Sequence, residues 1–238
     1  MSDCLGKNGF VSILAHELRS QLAPVKTIAE LLKIAAVDSA TARMMADVVD
    51  RQVNGMARLI DDLLDAASLE NGSVKLQRSA ATLSGIVDRA LEIAGPVVAA
   101  RGHKLVVHMP PEPILLEADA VWLSQALQNV IGNAAKYTNP GGLIRIVCVR
   151  EEDKAVITVR DTGIGIARAQ LDSIFDLYFR AGHAEAQRSV KGLGIGLYVA
   201  RALIEAHGGT IRAASPGPDC GSELTIRLPC EPLEADRG

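Results

Sequence analysis

His16, in the stretch AHELRSQLAP (residues 15–24), is the first residue whose type and position suit chemistry. With Val11 as the first position of the surrounding apolar heptads, His16 falls on the face directly opposite the apolar seam. An exposed imidazole has a pKa near ~6.5, so much of it is neutral near pH ~7 and has a free lone pair. The adjacent carboxylate of Glu17 could hold the proton of the other ring nitrogen. This helical pattern fits both an ordinary surface histidine and a nucleophile.

Two carboxamides and an ammonium share one face of a second helical pattern, WLSQALQNVIGNAAKYT. Asn129 and Asn133 are four residues apart, and Lys136 follows one turn later. A neutral oxygen ligand such as asparagine can hold Mg²⁺, which keeps its other coordination positions for phosphate and water. This face therefore suits a polyphosphate with its magnesium ion, although an ordinary polar helix face has the same composition.

An acidic residue and two glycines follow a predicted strand in VRDTGIGI. Asp161 ends the strand, and Gly163 and Gly165 come directly after it. Glycine lets the backbone approach a ligand closely, and a carboxylate at a strand end can accept a hydrogen bond from an adenine amino group. A plain turn is the alternative.

A glycine triplet opens a further helical pattern in KGLGIGLYVAR. The backbone N–H groups of Gly192, Gly194 and Gly196 would meet an anion at the positive end of the helix dipole. The triplet lacks the GK[ST] of a Walker loop and the acidic residue of a Rossmann turn. Residues 166–191 before it are too many for a simple connection, which predicts a mobile lid.

The lid contains the stretch IFDLYFRAG, in which Phe175 and Phe179 are spaced to hold a short helix against the body of the domain. Arg180 and Lys191 could meet phosphate charge, although a solvated lid surface explains both equally.

Helical periodicity extends from Val11 to about Leu69 and contains two apolar seams separated by a turn, with Asp38 or Ser39 as the cap. Two such seams predict a helical hairpin, and pairing two hairpins into a four-helix bundle would bury both, which indicates a homodimer. The first seam contains Val11, Leu14, Leu18, Gln21, Val25, Ile28, Leu32 and Ala35, and the second Met45, Val49, Gln52, Met56, Leu59, Leu63 and Ala66.

Strand patterns dominate after Glu70. Helical patterns lie between them near residues 82–101, 119–137 and 193–207. This mixture predicts an α/β sandwich with a mixed, largely antiparallel sheet, and the chain as a whole is assigned to the α+β class. We expect the helical domain to span residues 1–70 and the second domain residues 71–238. The strand-like runs are VKLQ, KLVVHM, ILLEA, LIRIVCV, KAVITVR, GTIRAAS and ELTIRL.

The composition of the 238 residues is that of a folded protein, with 48% hydrophobic and 22% charged residues. A net charge of -3 gives no global attraction to nucleic acid or anionic lipid. The apolar runs are far shorter than the ~20 residues that span a bilayer, and no signal-peptide pattern opens the sequence. The four cysteines lack metal-ligand spacing. These features predict a soluble, cytoplasmic protein.

In this order, the motifs resemble those of the catalytic core of two-component sensor histidine kinases. FVSILAHELRSQLAPV is similar to the H box, LQNVIGNAAKYT to the N box, and DTGIGI and GLGIGL to the two glycine boxes that flank the lid, while IFDLYFRAG is similar to the aromatic box. The resemblance covers nearly the whole chain. It implies a dimerisation and phosphoacceptor hairpin followed by an ATPase domain of the gyrase, heat-shock chaperone and MutL superfamily.

The resemblance also implies a role for each motif. His16 would accept the γ-phosphoryl group of ATP, with Glu17 orienting it and taking its proton. Asn133 would hold Mg²⁺, and Asp161 would recognise adenine. The phosphoryl group would then pass to an aspartate on a response-regulator receiver domain. The other residues assigned to the nucleotide are Asn129, Lys136, Tyr137, Gly163, Gly165, Ile166, Lys191, Gly192, Leu193, Gly194 and Gly196.

Three features depart from the family pattern. Gln21 stands where H boxes usually have proline, although Pro24 is present as in a subset of members. Ser20 replaces the threonine or asparagine of many members, which leaves phosphatase activity open. The hairpin begins within ten residues of Met1, so either a separate protein supplies the signal or the chain is a fragment of a longer sensor kinase.

Two alternatives remain compatible with the sequence. The chain could be a dimeric scaffold whose ATPase-like domain no longer turns over, or an ATPase or protein serine kinase in which the hairpin only dimerises. A measurement of ATP binding distinguishes the scaffold from the histidine kinase. A substitution of His16 distinguishes the histidine kinase from the second alternative, in which phosphorylation would persist.

Overall fold

The structure is a computed structural model, and it describes residues 4–34, 37–70, 75–179 and 193–230. Two long helices come first, α1 (Cys4–Ile34) and α2 (Ser39–Glu70). Asp38 caps α2, because its Oδ1 accepts hydrogen bonds from the N–H groups of Ala40 and Thr41, both at 2.9 Å. These bonds lower the pKa of Asp38. The predicted hairpin and one of its two candidate caps are therefore confirmed.

The two helices pack along the predicted seams. The described seam residues of α1 are half-buried from Leu14 to Ile28, whereas Leu32 is 51% exposed. On α2, Leu59 and Ala66 are fully buried and the other seam residues are half-buried. Val11 and Ala35 lie outside the residues whose side chains the structure describes.

The rest of the described chain alternates strands and helices. The strands are β1 (Ser79–Thr82), β2 (Lys104–His108), β3 (Leu115–Ala118), β4 (Leu143–Glu151), β5 (Lys154–Asp161), β6 (Thr210–Ala214) and β7 (Glu223–Pro229). Strands β1 and β3 form a short antiparallel pair, and the main sheet has the order β2-β4-β5-β7-β6. The helices are α3 (Leu83–Ala100), α4 (Ala120–Tyr137) and α5 (Gly196–Ala206), and two 3₁₀ turns cover Arg168–Gln170 and Ser173–Phe175.

The main sheet is mixed and largely antiparallel, as predicted. Only the β2–β4 pair is parallel among the described strands. Helices α3, α4 and α5 form a layer on the sheet, and the core between the layers is aliphatic. Its largest fully buried side chains include Ile86, Leu127, Ile131, Ile144, Ile146, Ile157, Leu203 and Ile226.

The strand predicted at VKLQ is wrong. Residues 75–78 form no strand, and β1 lies at Ser79–Thr82 instead. The backbone N–H of Gln77 donates to the carboxylate of Asp119 at 2.9 Å, so it is engaged by a side chain rather than by a neighbouring strand. The pairing of Ser79 with Ala118 then fixes where the strand begins.

The hairpin contacts the sandwich through the C-terminal half of α2. This half packs against α5, and it buries Leu59 and Ala66 to 8% and 3% exposure. The side chain of Asp65 accepts a hydrogen bond from Gln125 of α4. Partial burial raises the pKa of Asp65, and the nearby charge of Asp61 adds to this shift. Among the described helices none is long and apolar enough to cross a membrane.

Candidate nucleotide and phosphoacceptor sites

A cavity of about 550 Å³ lies between α4, the start of α5 and the turn that follows β5. Ten of the residues predicted to bind a nucleotide line it, although they come from three separate segments of the chain. These residues are Asn129, Asn133, Lys136, Tyr137, Asp161, Gly165, Ile166, Leu193, Gly194 and Gly196. The predicted Lys191 and Gly192 lie outside the described residues.

Helix α4 supplies the polar side of the cavity. Its N-cap is Asp119, whose Oδ1 accepts from the N–H groups of Val121 and Trp122 at 3.2 and 3.3 Å. Three turns along, the buried Nδ2 of Asn129 has no hydrogen-bond partner in the described part of the chain. Buried polar atoms are nearly always paired, so this amide indicates a place where a ligand can supply the missing acceptor.

The cationic end of α4 lies over an aromatic ring. The Nζ of Lys136 is 5.3 Å from the centroid of the Tyr137 ring, within the range of a cation–π contact. This contact places an ammonium group at the cavity wall next to Asn133, because the two residues are one helical turn apart.

Asp161 lies at the opposite wall, at the end of β5, and is only 5% exposed. Its Oδ1 accepts from the N–H of Gly163 at 2.7 Å and of Ser222 at 3.3 Å, and its Oδ2 accepts from the hydroxyl of Ser222. These donors hold the carboxylate in one orientation and leave acceptor capacity on Oδ2. Gly163 therefore supports the site from behind rather than lining the cavity.

Two glycines are required by their backbone conformation. Gly165 has a φ of +66°, and a Cβ there would lie 2.1 Å from the carbonyl oxygen of Gly217. Gly194 has a φ of +72°, and its Cβ would lie 2.4 Å from the carbonyl oxygen of Phe179. Any side chain would be both strained and blocked at these positions, so glycine lets both segments close on the cavity.

The described part of the aromatic stretch IFDLYFRAG packs beside Gly194, at the edge of the cavity. Phe175 is 6% exposed in the second 3₁₀ turn, with the guanidinium of Arg201 6.0 Å from its ring centroid. Phe179 lines the cavity, and the N–H of Tyr178 donates to the carbonyl of Gly194 at 3.0 Å. The expected packing of the two phenylalanines is confirmed, whereas Arg180 and residues 181–192 of the predicted lid lie outside the described residues.

The backbone of His16 and Glu17 belongs to α1, and their side chains lie outside what the structure describes. Their height along the hairpin can be read from the contact between Gln21 of α1 and Gly55 of α2. A Cβ on Gly55 would lie 3.0 Å from the Oε1 of Gln21, so these two residues face each other. The helices are antiparallel, so five residues toward the start of α1 correspond to five toward the end of α2. His16 is thus level with Ile60, in the part of the hairpin whose α2 side contacts α4 and α5.

Ser222 is a site residue that the sequence analysis missed. It lines the cavity and holds Asp161 from the residue just before β7, 61 positions later in the chain. Its proximity depends on the pairing of β5 with β7, which the order of the elements alone does not give. The stretch CGSELTIRL, a glycine and a serine before a clear strand, is the only signal that could have pointed to it.

Comparison with known families matches both parts of the chain. Residues 6–72 match the His Kinase A (phospho-acceptor) domain, and residues 118–232 match the histidine kinase-, DNA gyrase B-, and HSP90-like ATPase domain. The chain therefore belongs to the two-component histidine kinases and contains the domains of their catalytic core. The ATPase domain implies that this part of the chain binds ATP.

Individual relatives agree with this family. The chain is 32% identical over 231 residues to the probable sensor histidine kinase TcrY of Mycobacterium tuberculosis. The aligned region covers 95% of this chain and 47% of that protein. The chain thus spans about half the length of that relative.

Solved histidine kinases share the fold. The Acinetobacter baumannii histidine kinase AdeS has a TM-score of 0.67 and 21% identity, covering 90% of this chain and 97% of its own. Histidine kinase ThkA, solved in complex with the response regulator protein TrrA, has a TM-score of 0.67 and 20% identity, covering 97% of this chain and 63% of that one.

Proposed function

We propose that this chain is an autophosphorylating protein histidine kinase. It transfers the γ-phosphoryl group of Mg·ATP to a ring nitrogen of His16 and then to an aspartate of a response regulator. The observation that carries the proposal is that Asn129, Asn133 and Asp161 line the same cavity as the segments that contain Gly165 and Gly194. The cavity is large enough for a nucleotide, and it has a carboxylate at one wall and carboxamides with an ammonium at the other.

The adenine base lies at Asp161. The remaining acceptor capacity of its Oδ2 suits an exocyclic amino group, and Ser222 and Gly163 keep the carboxylate from rotating. The apolar side chain of Ile166 lies at the same end of the cavity. A buried, oriented acceptor of this kind selects adenine over guanine, because guanine has a carbonyl oxygen at the corresponding position.

The phosphates lie between the polar face of α4 and the start of α5. Asn129 and Lys136 face them from α4, and the N–H groups at Gly194 and Gly196 face them from the N-terminus of α5. Tyr137 borders the ribose and phosphates. We assign the same role to Lys191 and Gly192 on the resemblance alone, since the two residues lie outside the described part of the chain.

Magnesium fits this donor set. Among the described residues no group of three or more His, Cys, Asp or Glu side chains could hold a metal ion. Mg²⁺ typically takes few protein ligands and keeps phosphate oxygens and water, so the carboxamide oxygen of Asn133 is sufficient as the protein ligand. When bound, the ion neutralises charge on the transferring phosphoryl group.

The transfer breaks the bond between the γ-phosphorus and the bridging oxygen of ATP and forms a phosphorus–nitrogen bond at His16. ADP leaves with the bridging oxygen, and Glu17 takes the proton of the imidazole. Positioning and charge neutralisation account for most of such a transfer. Because His16 is level with the part of α2 that contacts the ATPase domain, a limited movement of that domain would bring the two sites together.

Two partners are proposed, a second copy of the chain and a response regulator. The first is supported by the exposed surface of the hairpin and the second by the family. Val53, Ile60 and Leu64 are 48%, 51% and 61% exposed and form a stripe on α2 that a second copy would cover, giving the four-helix bundle. The complex of ThkA with the response regulator protein TrrA supports a receiver domain as the second partner. A separate or truncated sensor module would supply the signal. The domain division at residues 70 and 71 and the cytoplasmic location stay predictions.

The test is incubation of the purified chain with γ-labelled ATP and Mg²⁺. We expect wild type and His108→Gln, an exposed histidine of the ATPase domain, to take up label that is lost in acid and kept in base. His16→Gln should take up none. Label that persists in His16→Gln would exclude His16 as the acceptor, and tight ATP binding without any label would favour the scaffold.

A further inference from the structure

The loop between β6 and β7, residues 215–222, lies against the turn that follows β5, residues 161–166. Backbone hydrogen bonds join the two segments along their length, so they form one wall behind the adenine end of the cavity. The N–H of Asp161 donates to the carbonyl of Ser222 at 2.9 Å, the N–H of Gly221 to Gly163 at 3.0 Å, and the N–H of Asp219 to Ile164 at 2.7 Å.

The hydroxyl of Ser215 closes the far end of this wall. Its Oγ accepts from the N–H of Ile166 at 3.0 Å and from the N–H of Gly217 at 3.2 Å. Its hydrogen has two carbonyl acceptors in range, Gly221 at 2.7 Å and Gly217 at 3.2 Å. A hydroxyl has one hydrogen and two lone pairs, so the two accepted bonds and the shorter donated bond use its full capacity. Ile166 lines the cavity, and Ser215 lies behind it.

The conformation of the turn depends on this contact. Gly165 has a φ of +66°, and a Cβ there would lie 2.1 Å from the carbonyl oxygen of Gly217, so the turn and the loop approach each other closely at this point. The next N–H, that of Ile166, has its hydrogen bond with Ser215 rather than with another residue of the turn. Without the hydroxyl, Ile166 would lose the bond that fixes its backbone, and its side chain would no longer hold one position in the cavity.

We propose that Ser215 is a positioning residue for the adenine base. It acts through Ile166 and Gly221 on the two segments that orient Asp161, and it does not touch the nucleotide itself. This inference rests on the proposed assignment of the adenine end to Asp161. The hydroxyl group is the property that matters, so threonine can replace serine and alanine cannot.

The experiment measures dissociation constants of ATP and ADP for the full chain by calorimetry. Ser215→Ala is expected to weaken the binding of both nucleotides equally and by about tenfold, because it removes the part-buried hydrogen bonds of the hydroxyl. Ser215→Thr should stay near wild type, and Ser215→Cys, with a weaker donor and acceptor, should be intermediate. Ser84→Ala removes an exposed hydroxyl on α3 and serves as the control.

A second readout separates positioning from a general loss of stability. The autophosphorylation rate at saturating ATP should be unchanged in Ser215→Ala, because the phosphate end of the cavity is intact. Unchanged nucleotide affinity in Ser215→Ala, or equal weakening in Ser215→Thr, would overturn the inference while leaving the proposed function in place. Failure of wild type to bind either nucleotide would contradict the proposed function and this inference together.

Discussion

Asp161 is held by the backbone N–H groups of Gly163 and Ser222 and by the hydroxyl of Ser222, and this arrangement limits what the carboxylate can recognise. A carboxylate that is buried and fixed in this way presents its remaining lone pair in one direction only. The side chain of Asn129 complements it at the other end of the cavity, where its amide has no partner in the described part of the chain. In the proposed function, selectivity for the nucleotide therefore comes from preorganised acceptors and donors rather than from net charge.

The conservative substitution Asp161→Asn tests the role of the carboxylate. The amide replaces one acceptor oxygen with a donor, which conflicts with the Ser222 hydroxyl or with the amino group of adenine. We expect ATP and ADP to bind at least tenfold more weakly, since a buried donor is left without an acceptor. Titration calorimetry measures the effect, and Asp153→Asn, an exposed carboxylate in the β4–β5 turn, is the control. Wild-type affinity in Asp161→Asn would contradict the assignment of the adenine end.

Residue types and spacing predicted most of the residues that line this cavity, and the family resemblance added Tyr137, Ile166 and Leu193. The predicted residues meet in one cavity because α4, the end of β5 and the start of α5 are neighbours in the fold. Ser222 and Ser215 could not be found in this way. Their positions depend on which strands are neighbours in the sheet and on hydrogen bonds between loops, and neither leaves a periodic pattern in the sequence.

At the scale of elements, His207 connects three parts of the ATPase domain. It follows α5 and is 3% exposed, with Nδ1 2.7 Å from the carbonyl of Leu203 and Nε2 accepting the N–H of Asp119 at 3.1 Å. The segment before β1 joins at the same place, because the guanidinium of Arg78 donates to the carbonyl of Ala206 at 2.6 Å. Hydrogen bonds therefore connect the start of α4, the end of α5 and the segment that leads from the hairpin to β1.

This junction makes the stability of the domain depend on pH. Burial lowers the pKa of His207 below its ordinary 6.5, and the nearby charge of Arg78 acts in the same direction. The native state then binds fewer protons than the unfolded state below pH 6.5. The contribution of His207 is fully present above that pH, and it is lost as the pH falls toward the lowered pKa.

Urea unfolding between pH 5 and 8 tests this dependence. We expect the free energy of unfolding to decrease below about pH 6.5 in wild type and in the control His108→Gln. His207→Gln should be less stable at pH 8 but should lose less stability on acidification, because its side chain cannot be protonated. An identical pH profile in His207→Gln and wild type would show that another group controls the acid response.

The limits of α3, α4 and α5 were predicted to within a few residues, because apolar periodicity and capping residues act locally. Helix α1 begins at Cys4, seven residues before the predicted start at Val11. The exception among the strands is β1, which begins five residues after the start of the predicted run VKLQ. Lys75, Leu76 and Gln77 alternate as a strand would, but the carboxylate of Asp119 binds the N–H of Gln77 from 42 residues away. A contact of this range overrides the local pattern and is not visible in it.

At the scale of the whole molecule, α2 joins the helical hairpin to the ATPase domain. The C-terminal half of α2 has one side against α5 and a different apolar stripe exposed on its surface. The same helix therefore supports the ATPase domain and, in our proposal, the dimer. Helix α2 is also joined to α4 by the hydrogen bond from Gln125 to Asp65.

Disruption of the exposed stripe tests the dimer. We expect the double substitution Ile60→Glu and Leu64→Glu to give a monomer, because four glutamates would meet at the centre of the bundle. Sedimentation equilibrium measures the mass. Arg51→Glu is the control, since Arg51 is exposed on the side of α2 opposite Ile60. A dimer that persists in the double variant at the wild-type dissociation constant would place the interface elsewhere.

The most direct measurement of the central claim is to locate the phosphoryl group after reaction with Mg·ATP. Trypsin cleavage after Lys7 and Arg19 releases a peptide whose only histidine is His16 and whose only hydroxyl residue is Ser12. Mass spectrometry at neutral pH should find the phosphoryl group on His16, and brief acid treatment should remove it. A modification on Ser12 or on any other peptide, stable in acid, would contradict the assignment of this chain as a histidine kinase with His16 as its acceptor.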